Sequence, residues 1–114
     1  MQSLTVASLL ALVSLAACVT PQSGRVTVHN ATAETIAEVT IEVSGNSLVA
    51  RDLVAGGKTT FQFPIRHEDG YTVSARFASG RTQEAEVGYV AAGLPSDSQI
   101  EITSTTITEQ LTPS

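Results

Sequence analysis

The side chains with enough chemistry to act are few: Cys18, His29, His67, the run Glu68-Asp69, and the pair Glu84 and Glu86. Cys18 is the only cysteine, which removes disulfides, thiolate metal clusters and cysteine-histidine catalysis from the chain beyond it. His29 and His67 are the only imidazoles, and no third ligand stands at a metal-site spacing. Both are expected as solvent-exposed strand or turn residues, with no metal. His67-Glu68-Asp69 gathers an imidazole and two carboxylates, yet Gly70 directly after them makes turn chemistry a sufficient reason for the acids. Glu84 and Glu86, two apart on a strand, would lie roughly 7 Å from each other, a separation that acid-base pairs use. On a solvated face the two would have similar acidity, whereas catalysis needs environments that drive two pKa values apart. No nucleophile, base and orienting group come together, so no enzyme and no cofactor are expected.

Two short strings fail on context. Gly56-Gly57-Lys58-Thr59 looks like the tail of a phosphate-binding loop, but Asp52 stands where that pattern needs its first glycine, and strand residues come next where a helix should. Asn30-Ala31-Thr32 fits the glycosylation acceptor pattern, and a polar turn explains it.

The surroundings of Cys18 are more specific. Leu4 to Ala17 is uncharged and apolar, too short to span as a transmembrane helix of roughly 20 residues, and reads as the hydrophobic region of a helical, cleaved signal peptide. Met1-Gln2-Ser3 departs from the usual pattern in carrying no Lys or Arg. Ala16 and Ala17 are small enough for an extended backbone to enter a signal-peptidase groove. Leu15-Ala16-Ala17-Cys18 resembles the lipobox of bacterial lipoproteins. That resemblance implies cleavage before Cys18, acylation of Cys18 with palmitate-type chains, and a membrane anchor made of lipid. Val19 occupies the position where Asp marks retention in the inner membrane of enterobacteria, so the resemblance further implies the outer membrane, facing the periplasm.

Residues 1–17 are thus expected as signal peptide and 18–24 as tether, which leaves material for one domain and not two. All six Lys and Arg and all eleven Asp and Glu lie beyond Cys18, so the formal charge of −5 belongs to that domain. An acidic, unclustered surface argues against nucleic acid and against a basic patch on anionic lipid. Val19 to Gly24 reaches at most about 20 Å, so the domain must sit close to its membrane.

From Arg25 the apolar period is two. Val26 and Val28 form one face, then Val39, Ile41 and Val43; Gly45-Asn46 offers a hairpin turn into Leu48 to Leu53. Phe61, Phe63 and Ile65 share a face, and Pro64 places that strand at a sheet edge or at its own end. Glu68-Asp69-Gly70 turns into Tyr71, Val73, Ala75 and Phe77; Ser79-Gly80 turns again into a strand with Ala85, Val87 and Tyr89 on one face. A last strand runs from Gln99, with a bulge or break near Ser104 to bring Ile107 to the inner face, and 108–114 is expected as a flexible tail.

About seven short strands across 25–107, without a helical period, predict an all-β, antiparallel two-sheet sandwich. Tyr71 to Phe77 followed by Ser79-Gly80 resembles the penultimate strand of fibronectin type III and immunoglobulin-like modules, which implies an immunoglobulin-like sandwich. A transthyretin-like sandwich or a small barrel stays open.

Gly88 to Pro95 is a small, apolar, nearly uncharged loop. Tyr89 and Leu94 are expected to turn inward and cap the core; standing exposed, Gly88, Tyr89, Val90 and Leu94 would form a partner-binding loop. The expected function is a non-catalytic accessory module that binds another envelope protein, through this loop or through the sheet edge near Phe61 to Ile65. The alternative is a periplasmic inhibitor, because Ala78-Ser79-Gly80-Arg81 resembles the Ser-Gly loop of small lysozyme inhibitors, whose disulfide cysteines this chain lacks.

Overall fold

A computed structural model describes residues 23–110. It contains β1 (Ser23–Asn30), β2 (Ile36–Val43), β3 (Asn46–Leu53), β4 (Lys58–Pro64), β5 (Asp69–Phe77), β6 (Thr82–Val90), β7 (Ser96–Ile102) and β8 (Ile107–Gln110), with no helix among the described residues. Alternation places Val26 and Val28, Ile41 and Val43, and Tyr71, Val73, Ala75 and Phe77 on buried faces. Two four-stranded sheets pack these faces together, in the orders β4-β1-β7-β8 and β3-β2-β5-β6. The expected sandwich is present, with eight strands rather than about seven. The expected signal peptide, 1–17, and the lipobox-like stretch Leu15 to Cys18 lie outside the described residues.

One ladder is not antiparallel. β1 pairs with β4 on one side and, in parallel, with β7 on the other, Gly24 opposite Ser96 through Asn30 opposite Ile102. The strand after the break near Ser104 also differs from expectation: Thr103 donates its amide to Thr106 O at 2.8 Å, closing a hairpin. Ile107 then starts β8, and Thr108 to Gln110 pair with Glu101 to Gln99, so the first residues of the expected flexible tail are sheet.

The β2–β3 turn is Ser44-Gly45 rather than Gly45-Asn46, with φ of +50° and +79°. Positive φ at both central residues is the type I′ hairpin turn, a conformation Ser tolerates poorly without help. Here the fully buried Ser44 hydroxyl donates to His67 O at 2.9 Å and accepts the amides of Arg66 and His67, while Asp69 Oδ2 accepts the Ser44 amide at 2.8 Å. Asn46 adds bonds from Nδ2 to Val43 O, Ser44 O and Pro64 O. This network binds the β2–β3 turn to the β4–β5 loop. Asp69 and Gly70, expected in a turn, belong to β5.

Tyr71 joins the sheets. Its ring stands edge-on to Phe63 at 6.1 Å and 86°, and its hydroxyl donates to Ser98 Oγ on β7 at 2.9 Å. Gly24 makes room: a Cβ there would meet Phe63 Cζ at 2.6 Å, so only glycine lets that ring lie across β1.

The registers and the Ser44 network put Ser23, the Ser44-Gly45 turn, residues 65–68 and residues 91–95 at one end of the sandwich, the Ser23 pole. Residues 31–35, 54–57, 78–81 and 103–106 gather at the other, the Asn30 pole.

Candidate partner-binding surface

The alternation of β6 breaks at its end. Ala85 and Val87 pack on the core, but Gly88, with φ of +65°, faces a register shift between Asp69 and Tyr71 of β5. The extra residue of such a bulge reverses the facing of the residues after it. Val90 is therefore buried and Tyr89 turns outward. Gly88 is required twice over, since a Cβ would come within 2.6 Å of Glu109 Oε2 and 3.0 Å of Tyr71 Cδ2 in a backbone conformation that side chains disfavour.

Tyr89 and Leu94 consequently stand 59% and 60% exposed, against the expectation that they cap the core. Val90 does the capping and is closed to a partner. Ala92, Gly93 and Pro95 are exposed as well, and the Leu94 amide donates to Ala91 O at 3.3 Å, closing the turn. The Tyr89 phenol donates to Glu68 Oε2 at 2.6 Å, which holds the ring beside the β4–β5 loop. That bond, together with desolvation and the nearby negative charges of Glu68 and Asp69, raises the phenol above its ordinary value of 10.0. Glu68→Gln should lower the titration midpoint of Tyr89 toward that value in a spectrophotometric titration; an unchanged midpoint would show that the contact does not persist in solution.

The second expected surface is the sheet edge near Phe61 to Ile65. β4 pairs only with β1 and is an edge strand, with Phe61 half-buried and Phe63 and Ile65 buried beneath it. Asn30 donates its amide to Gly57 O at 2.9 Å. Counted from that bond, the alternation of an antiparallel ladder turns the amides of Lys58, Thr60 and Gln62 to the free side. Pro64 falls in the same parity, where its missing N–H costs β1 nothing. Its carbonyl is occupied by Asn46.

The other candidates are scattered. His29 lies on the outer face of one sheet, its Nδ1 3.7 Å from Glu101 Oε2; His67 is exposed at the Ser23 pole. Among the described residues no group of three His, Cys, Asp or Glu side chains could hold a metal ion. Glu84 and Glu86 lie on the outer face of the other sheet, where Glu84 accepts a bond from Ser74 Oγ at 2.9 Å. Glu84 also borders a shallow polar groove of about 430 Å³, shared with Glu38, Thr40 and Arg76. Gly56-Gly57 is a turn leading into β4. Asn30 is completely buried, so the folded domain cannot present it for glycosylation. The Ala78 to Arg81 turn is exposed, with the Arg81 guanidinium 4.1 Å over the Phe77 ring and donating to Ser104 O. Sequence reasoning missed the Ser44, Asn46 and Asp69 network, whose residues read as ordinary turn formers, and the Glu68–Tyr89 bond, which joins residues 21 apart.

No protein-family model matches the chain, and no curated protein matches it. Among solved structures, a protein from Eubacterium rectale, determined by NMR, is similar with a TM-score of 0.60 at 11% identity over 82% of this chain and 91% of that one. The human-specific toxin intermedilysin gives 0.45 at 10% identity, covering 80% of this chain and 24% of the toxin. The membrane-binding domain of pneumolysin gives 0.41 at 9% identity, over 82% and 98%. The first likeness shows a shared sandwich fold alone.

Proposed function

We propose that the chain is a small envelope lipoprotein, acylated on Cys18, held in the outer membrane facing the periplasm, and acting as a non-catalytic module that binds another envelope protein. The sandwich is read as immunoglobulin-like. In support, β1 and β4 on one sheet and β3-β2-β5-β6 on the other match the partition of strands B, E and C′, C, F, G; β7, parallel to β1 and late in the chain, departs from the antiparallel first strand of that pattern. The observation that carries the binding role is the open edge of β4. Its amides at Lys58, Thr60 and Gln62 offer a template on which an extended partner segment can add a strand.

Thr60→Pro tests this site, because it removes an outward amide while leaving the backbone ladder to β1 intact. The bond between the Thr60 and Thr27 hydroxyls is lost with it, so Thr60→Val, which removes that bond alone, is the control. In a mild-crosslinking pull-down from envelopes, one identified envelope protein should be captured by the wild type. Capture by a folded Thr60→Pro variant should fall about five- to tenfold, as loss of one backbone hydrogen bond with its local clash implies. Equal capture would place the partner elsewhere on the domain.

A further inference from the structure

The Ser23 pole joins two features that lie far apart in the chain: the point where the tether from Cys18 enters the sandwich, and the exposed apolar connection between β6 and β7. We propose that this pole rests on the lipid bilayer, with Tyr89 and Leu94 seated among the headgroups and the first acyl carbons. Such seating rests on the acylation of Cys18 proposed above.

Reach constrains the domain first. Ser23 is already paired with Pro64, so only the five peptide steps from Cys18 to Ser23 can separate the pole from the anchored thiol, at most about 18 Å. That length cannot hold the domain clear of the bilayer in every orientation, and the Ser23 pole is the part it keeps nearest.

Surface chemistry selects the same pole. From Val87 to Pro95 no side chain is charged and none is a carboxamide, and Tyr89, Ala92, Leu94 and Pro95 are exposed. The Asn30 pole exposes one large apolar side chain, Val54, with charged Asp52 and Lys58 close by in the chain. Apolar groups grouped on one exposed surface signal contact with something, and a tyrosine with an apolar body and a polar tip suits the membrane interface. The turn bond from the Leu94 amide to Ala91 O reduces the backbone polarity a shallow seat must desolvate. Glu68 and Asp69 outnumber Arg66 at this pole and the chain is acidic as a whole, so anionic lipid exerts no attraction. Glu68, bonded to the Tyr89 phenol, stays with that hydroxyl at headgroup level, and the contact is made by the apolar groups. In this orientation β4 rises from Pro64 near the membrane to Lys58 away from it, leaving its free edge open to a protein partner.

The test uses full-length protein purified from membranes and reconstituted in vesicles of phosphatidylethanolamine and phosphatidylglycerol. Leu94→Cys or Val54→Cys carries an environment-sensitive fluorophore; acylated Cys18 has no free thiol to compete. Intact mass reports the acyl chains. The expected result is a blue-shifted Leu94 label that loses most of its emission to nitroxide-bearing lipids, beside a Val54 label that remains in water. A water-exposed Leu94 label on protein of acylated mass overturns the bilayer contact and leaves the anchor standing. Quenching at Val54 instead overturns the orientation. Protein without the acyl mass removes the anchor, and the bilayer contact with it.

Discussion

Asn30→Ala is expected to destabilise the domain by about 3 to 5 kcal/mol, around half of the total of order 5 to 10 kcal/mol that a small domain has. The Asn30 side chain is inaccessible to solvent. Its Nδ2 donates to Glu34 O and Leu53 O at 2.9 Å and shares a longer bond with Val54 O, while Oδ1 accepts the amide and hydroxyl of Thr32. One carboxamide thus fastens the β1–β2 loop to the end of β3. Alanine leaves the Leu53 carbonyl and its neighbours without a partner, and each buried orphan costs about 1 to 3 kcal/mol. Asn30→Asp separates shape from bonding: it keeps the volume but replaces donors with an acceptor facing carbonyls, so it should be no better than alanine. Urea unfolding of the three proteins gives the comparison. A loss below about 1 kcal/mol for alanine would mean that water enters and satisfies the loop.

Tyr71 supplies the other large effect. Tyr71→Ala should cost about 3 to 5 kcal/mol, as removal of a buried aromatic ring does, whereas Tyr71→Phe should cost only about 1 kcal/mol, the worth of its hydroxyl bond. The ring fills the space between the sheets against Phe63, and the hydroxyl alone reaches Ser98 on the facing sheet. Combining Tyr71→Phe with Ser98→Ala should add little to either change, because both remove the same bond. Full additivity in denaturant midpoints would show that the bond is absent in solution.

Alternation made most of the core legible. Val26 and Val28, or Tyr71 through Phe77, carry their facing in their spacing, and Pro64 correctly marked an edge. The illegible remainder has one of two physical causes. Some polar residues hold roles that composition cannot distinguish from exposure: Asn30 and Ser44 look like turn residues, yet Asn30 ends β1, Ser44 sits in its hairpin turn, and both are buried because several backbone groups converge on them. Others lie beyond a parity reset. Gly88 admits an extra residue to β6, and that single insertion sends Val90 inward and Tyr89 outward, so the same pattern that predicted an inward tyrosine became the reason for an exposed one. The candidate loop was legible as uncharged and small; its exposure was not.

The parallel pairing of β1 with β7 also sets a timetable. β2 with β3 and β5 with β6 are hairpins that form from short chain segments, but Arg25 and Asp97 face each other across 72 residues. Loop-closure entropy for so distant a pairing is paid before its contacts form, and such topologies fold slowly. β1 can find β4 early, yet its second flank stays bare until Ser96–Ile102 is available. A chain cut short before β7 therefore holds an unfinished sheet with Val26 and Val28 incompletely covered, and the domain becomes resistant to proteases only when nearly its whole length is present.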